Sequence, residues 1–178
     1  FYLIFIAEKD KKLIKIDESE KKNNVSMESE TSSELINIEY NSSDKNGNTF
    51  YINSRKATIG SHDNLDDQVN MEDVVAIINL KDKGIINIKS KYATYSRMNH
   101  NTQFSTNVEI SYIGNTIYSN NLDVSFSENK SSIYNDVIFK NNNVELYTDM
   151  IFLDMINGDI NLKMNKDTES VRLITTYE

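Results

Sequence analysis

Apolar and polar residues alternate along most of this chain, and at fixed places the alternation slips by one position. In Ile88-x-Ser90-x-x-Ala93-x-Tyr95 the apolar residues stand at −2, +3 and +5 from the serine. The same arrangement returns in Ile117-x-Ser119-x-x-Leu122-x-Val124 and in Leu146-x-Thr148-x-x-Ile151-x-Leu153. The Ser/Thr anchors at 90, 119 and 148 are separated by 29 residues each time. An earlier copy, Ile52-x-Ser54-x-x-Ala57-x-Ile59, precedes the next by 36. Before and after each anchor the period is 2, the period of a strand. A single added residue that switches the inward face is what a bulge or sharp corner produces. Each copy therefore predicts strand, corner, strand, and repetition at this interval predicts stacked units of one kind.

A second landmark supports the repeat. Val108 in Asn107-Val108-Glu109-Ile110 and Val137 in Asp136-Val137-Ile138-Phe139 each stand 18 residues beyond the preceding anchor serine. Around the repeats, further strands are expected at Leu35–Tyr40, at Val74–Leu80 and in a closing run, Val171–Tyr177. Lys81-Asp82-Lys83-Gly84 between two β-rich runs reads as a hairpin turn. Turns are also expected at 42–48, 98–101, 114–115, 128–130, 141–143 and 157–159, where Asn, Asp and Gly cluster. No dozen residues carry a 3.6-residue apolar period, so the chain reads as all-β.

Composition narrows the function classes. The 178 residues carry a formal net charge of −8 and no Cys, Pro or Trp. Nucleic acid is a poor partner for such a chain, since binding it depends on Lys and Arg neutralising phosphates. Without cysteine there is no disulfide and no thiolate metal site. Residues 8–33 are charged and Ser/Asn-rich, with Leu13–Ile16 the one short apolar run, and read as a linker or stalk. The opening run, Phe1 to Ala7, is unbroken apolar sequence. Seven residues fall short of the roughly 20 that span a bilayer. They read either as a first strand or, the preferred reading, as the remnant of a membrane helix or signal segment.

Chemistry is sparse. His62 and His100 stand in expected turns without a paired ligand and read as surface residues. Asp63, Asp66 and Asp67 beside His62 lack the convergent spacing of a hard-cation loop. Asp154 and Asp159 are one of many acidic pairs that 27 acidic residues generate by chance. There is no Gly-rich phosphate loop and no nucleophile elbow. Phe126, Phe139 and Phe152 alternate with aliphatics and read as core and not as a sugar platform. No active site, cofactor or metal is expected.

The order of these motifs resembles the LptC family of lipopolysaccharide export proteins, which share the OstA-like repeat with LptA. The resemblance rests on Ile38-Glu39-Tyr40, the turn Asp44-Lys45-Asn46-Gly47, and Phe50-Tyr51-Ile52-Asn53-Ser54-Arg55-Lys56-Ala57. It continues through Gly84–Tyr95 and Val108-Glu109-Ile110 to Ile117–Leu122, and covers about residues 34–164. The family's glycine before each repeat Val is here Asn107 or Asp136, residues that also tolerate left-handed backbone.

The resemblance implies an open, two-sheet antiparallel β-jellyroll over residues 34–178, periplasmic, behind a stalk (8–33) and a single inner-membrane helix ending at 1–7 of a Gram-negative cell. It implies a trough for lipopolysaccharide acyl chains lined by Ile52, Ile88, Tyr95, Val108, Ile117, Leu122, Val124, Val137, Leu146, Ile151 and Leu153. Periodicity alone reads the same residues as an ordinary sandwich core. Open edge strands are templates for other chains. The N-terminal edge (Leu35, Ile38, Tyr40) is expected to meet the inner-membrane ABC transporter LptB2FG. The C-terminal edge (Ile160, Leu162, Met164, Leu173) is expected to meet LptA. An LptA-like bridge, a small outer-membrane β-barrel and a repeat-built carbohydrate-binding protein or enzyme are the alternatives.

Overall fold

A computed structural model of the chain describes residues 33–43, 47–59, 68–99, 101–125, 128, 130–154 and 159–176. The expected membrane remnant at 1–7, the stalk up to residue 32, His62 with Asp63, Asp66 and Asp67, His100, Phe126 and Tyr177 lie outside the described residues.

Ten strands follow one another with no helix among the described residues. They are β1 (Ser33–Ser43), β2 (Thr49–Ile59), β3 (Gln68–Leu80), β4 (Gly84–Ser96), β5 (Thr102–Tyr112), β6 (Asn115–Ser125), β7 (Lys130–Lys140), β8 (Val144–Asp154), β9 (Ile160–Lys163) and β10 (Arg172–Thr175). Each of the first eight pairs antiparallel with the next, in strict sequence order. β8 then divides: its first half pairs with β10 and its second half with β9. Among the described residues the ladder does not close, since β1 pairs there with β2 alone, so the barrel alternative is not the form this sheet takes.

The expected all-β, open architecture with two facing layers is present, and its layers are two arms of one hydrogen-bonded ladder. The inward face switches parity at the middle of each long strand. On β4, Ile88 and Ser90 are buried before the switch and Ala93 after it. On β6 the buried pair is Ser119 and Leu122, and on β8 it is Thr148 and Ile151. Buried residues from both sides of the switch form a single cluster. No second sheet or helix is present among the described residues to cover that face. The sheet therefore buries it by folding along the line of switches, one arm against the other. The first arm carries Ile52, Ile88, Ile117 and Leu146, and the second carries Ala57, Ala93, Leu122 and Ile151.

Two kinds of corner make the fold line. The even-numbered strands β2, β4, β6 and β8 turn at the anchor Ser/Thr. The odd-numbered ones turn at residues with left-handed backbone: Asn37 (φ 53°), Asp73 (φ 54°), Thr106 and Asn107 (φ 65° and 55°), Asn135 and Asp136 (φ 65° and 59°). Asn and Asp take this conformation at low cost, since their short polar side chains bond locally. Asn107 and Asp136, directly before the repeat Val residues, both take it. The register from β1 to β4 passes the corner without a shift. From β4–β5 onward it shifts there in every pairing, because β5 and β7 each hold an extra residue. The 29-residue repeat follows from this bulged section, and the 36-residue interval spans the unbulged one.

Candidate functional site

The anchors explain the corners from the residue upward. Ser90 Oγ donates to the Tyr92 carbonyl at 2.8 Å, and Ser119 Oγ to the Asn121 carbonyl at 3.1 Å. Thr148 Oγ1 donates to the Met150 carbonyl at 3.3 Å and lies 3.0 Å from the Lys163 carbonyl of β9. Each hydroxyl gives the carbonyl two residues ahead a donor at the bend, and its own hydrogen is thereby satisfied. Ser90, Ser119 and Thr148 are therefore corner latches, whereas the Ser54 hydroxyl makes no such bond. Each anchor faces a β-branched residue of the neighbouring odd-numbered strand: Ser54 and Ser90 face Val74, Ser119 faces Val108, and Thr148 faces Val137.

On the outside of the fold line the groups are polar. Asp73 receives Lys91 Nζ at 2.8 Å and Arg55 Nε at 2.6 Å. Glu72 joins them, at 2.7 Å from Arg55 Nη2 and 3.3 Å from Lys91 Nζ. The hydrogen bonds from Lys91 and then Arg55 hold the Asp73 carboxyl below its usual range, and the same contacts raise Arg55 and Lys91. At the bulged corners neutral amides take over. Asn120 donates to Asp136 at 2.9 Å, and Asn135 to Asn121 at 2.8 Å.

Inside, cross-strand register arranges the apolar residues in rows. One row on the first arm runs Tyr40, Ile52, Ala76, Ile88, Ile110, Ile117, Phe139, Leu146, Leu173, with no polar residue in it. A second, on the other arm, runs Leu35, Ala57, Met71, Ala93, Phe104, Leu122, Ile133, Ile151, Leu162, also unbroken. A third, farther from the corner, includes Ile59, Val69, Tyr95, Val124, Leu153 and Ile160 but is interrupted by Thr102 and Ser131. Nine strands about 4.8 Å apart make each complete row roughly 38 Å long.

The sequence-expected lining residues all face this interior. Ile88, Val108, Leu122, Val137 and Ile151 are buried near the corner, and Ile52, Tyr95, Ile117, Val124, Leu146 and Leu153 are half-buried farther out. Burial raises the Tyr95 phenol above its ordinary range. On the first arm Ile88 and Val108 beside the fold line are buried and Ile86, Ile110 and Ile117 farther out are half-buried, while on β2 Phe50 at the far end is buried again.

Other residues belong to the trough although the repeat did not mark them: Val74, Ala76, Phe104, Ile110, Ile133 and Phe139 sit on odd-numbered strands, which have no Ser/Thr anchor. The signal for them was an Asn or Asp directly before Val or Ile, present at 37–38 and 73–74 as well as at 107–108 and 136–137.

The rows end in apolar residues open to solvent. Tyr40 on β1 is exposed, with Leu35 and Ile38 half-buried, and at the other end Ile160, Leu162 and Leu173 are exposed. Met164, expected on that edge, follows the end of β9 and is half-buried in the connection to β10. One expectation is corrected. Phe152 is not core: it points outward and is partly exposed, because the parity switch at Thr148 puts Ile151 and Leu153 inside. The outer face is not uniformly polar, since Val75, Ile77, Tyr118, Ile138 and Tyr147 alternate with inward residues and so stand on it. Apolar residues on a solvated face are common in folded proteins.

No family model matches the sequence, and a comparison with curated proteins finds no match. Among solved structures the chain is similar to LptH, described as the LptA-homologous periplasmic component of the lipopolysaccharide transport device from Pseudomonas aeruginosa. The similarity has a TM-score of 0.31 and 8% identity, over 84% of this chain and 96% of that one. A likeness this distant does not carry function across.

Proposed function

We propose that the chain binds the acyl chains of a lipid in the trough between its two arms and passes them along it, as a component of lipopolysaccharide transport of the LptC type. The observation that carries the reading is the pair of unbroken apolar rows that cross nine strands and end at the sheet edges in exposed Tyr40, Leu162 and Leu173 and half-buried Leu35. An ordinary sandwich core has no need of apolar ends open to solvent. The motif order that resembles the LptC family points the same way.

The energetics favour a continuous trough. Exposing a twelve-carbon chain to water costs about 0.8 kcal/mol per CH2, or roughly 10 kcal/mol. A groove shared between neighbouring proteins removes that barrier from each transfer step. The protein is then a binding protein and not an enzyme. In this reading a membrane helix precedes the domain, the domain is periplasmic, the β1 edge meets the ABC transporter and the β9–β10 edge meets LptA. An LptA-like bridge is the second reading, favoured by the openness of both edges.

Photo-crosslinking tests the proposal. A photoreactive residue at Ile117 or Leu146, inside the first arm, is expected to crosslink lipopolysaccharide, and one at the outward Tyr118 or Glu145 is not. Crosslinks from the outward positions alone would defeat it.

A further inference from the structure

The hairpin turns at the far end of the first arm are tied to one another by side chains. Asn48 Oδ1 accepts the Lys81 backbone N–H at 2.9 Å, which joins the start of β2 to the β3–β4 turn. Tyr112 Oη donates to the Lys83 carbonyl at 2.8 Å, which joins that turn to the β5–β6 hairpin. Asn115 Nδ2 donates to the carbonyls of Tyr112 and Ile113 at 3.2 and 3.0 Å and so holds the β5–β6 turn itself. Asn141 Nδ2 donates to Asn115 Oδ1 at 3.3 Å and carries the series on to the β7–β8 turn. Four neighbouring tips are thereby one braced end.

From the middle of this end two isoleucines stand into solvent, Ile85 at 51% and Ile113 at 66% exposure. The pairing of Ile86 with Tyr112 makes them neighbours, one rung farther out. Ile113 holds left-handed backbone, φ 44°, a strained conformation for a β-branched residue. Strain that keeps an apolar side chain in water is not accounted for by folding, and such outliers concentrate where a surface is used. Lys81 and Lys83 flank the pair, with Asp82 between them, so this turn is net positive in a chain whose net charge is −8. The β7–β8 turn at the same end is Asn141-Asn142-Asn143 and carries no apolar residue.

We propose that the β3–β4 and β5–β6 tips are a contact site for an anionic lipid bilayer surface. Ile85 and Ile113 enter the boundary between headgroups and acyl chains, and Lys81 and Lys83 meet the lipid phosphates. The occupant follows from shape and charge. Two side chains on a convex tip cannot supply the roughly 1,000 Å² that a specific protein interface buries. A fluid interface closes round a protruding tip on every side, and an apolar apex beside lysines matches its apolar interior under anionic headgroups. The bracing by Asn48, Tyr112 and Asn115 means that no ordering of the turns is needed on contact. This surface lies outside the trough and does not depend on a lipid being bound there.

The chain has no tryptophan, so a single one placed at the tip reports on its surroundings. Vesicles of phosphatidylethanolamine with phosphatidylglycerol are added to the purified protein carrying Ile85→Trp or Met98→Trp. Met98 is 78% exposed in the turn after β4, at the end of the other arm, and serves as the control. The emission of the Ile85→Trp protein is expected to shift to the blue and that of the Met98→Trp protein to stay. In a flotation assay with the same vesicles, Ile113→Asn, which suits the turn and keeps the fold, is expected to weaken binding about tenfold. Lys81→Gln with Lys83→Gln is expected to weaken it at least about fivefold, and to remove the preference over vesicles of phosphatidylcholine alone. Equal shifts from both tryptophans would mean general adhesion and overturn the assignment of the tip. A parent protein that does not float with the vesicles, or an Ile113→Asn protein that binds undiminished, would overturn it as well.

Discussion

Asp73 turns the β3 corner with left-handed backbone, φ 54°, and from that position its Oδ1 meets Lys91 Nζ of β4 at 2.8 Å. Backbone bend and ion pair are therefore one feature: the bend aims the carboxylate along the outside of the fold line, where Arg55 reaches it from β2. The pair is largely exposed, so its contribution is modest and screened by salt.

Acid should loosen this corner. The Asp73 carboxyl titrates below its ordinary value of 3.8 in the folded chain because Lys91 and Arg55 favour the charged form. A depressed folded pKa gives stability that is present above the unfolded value and lost as pH falls through the folded one. The part of the acid destabilisation due to Asp73 should therefore set in as pH drops towards 3.8 and be complete below the folded pKa. Asp73→Asn keeps a residue that tolerates the left-handed bend. Its urea midpoint, measured from pH 7 down to pH 2, should show a smaller acid dependence than the parent's. An unchanged acid profile would mean the ion pair is idle.

Left-handed corners should rank substitutions by backbone cost. Asn107→Gly is expected to leave stability unchanged within about 1 kcal/mol. Asn107→Val should lose at least 1–2 kcal/mol, the penalty of a side chain without local hydrogen bonds in that conformation. Equilibrium denaturation of the two variants checks the order.

The β5–β6 hairpin holds the reverse opportunity. Ile113 and Gly114 form its two-residue turn with φ of 44° and 72°, and Ile113 is 66% exposed. A β-branched residue is strained there, whereas Asn-Gly is the preferred pair for such turns. Ile113→Asn is expected to stabilise the protein by about 1 kcal/mol. A lowered melting temperature would show that the Ile113 contact over Gly84 outweighs the strain.

Corner latches should matter where they are made. Ser119→Ala removes the donor to the part-buried Asn121 carbonyl and should cost about 0.5–1.5 kcal/mol. Thermal melts of Ser119→Ala beside Ser54→Ala give the contrast, since only the first loses a bond.

Edge contacts separate folding from assembly. Leu162 and Leu173 are exposed on β9 and β10, so Leu162→Asp and Leu173→Asp should fold normally. If the C-terminal edge meets LptA, both should abolish LptA capture in a pull-down. Unchanged capture by well-folded variants would move that contact elsewhere.

Much of this was legible in the linear pattern. The period of 2, its slip at Ser54, Ser90, Ser119 and Thr148, and the turn residues fix strand, corner and inward face by local sterics. They also placed all eleven expected lining residues inside. The odd-numbered corners were harder to read, because Asp73 and Asn37 announce themselves only by a tolerated backbone conformation. Phe152 was misread since its side of the sheet depends on counting the slip at Thr148.

What the sequence alone determined is the strand order and the alternation of faces, because antiparallel neighbours joined by short turns have few other ways to pair. What only the tertiary structure decided is non-local. It set the register that makes Ile52, Ile117 and Leu146 one row, the ion cluster that brings Arg55, Asp73 and Lys91 together from three strands, and the unmatched hydroxyl of Ser54. Each depends on which residues of different strands come opposite one another. That is settled by the fit of bulged against unbulged corners across the whole sheet, and no single segment encodes it.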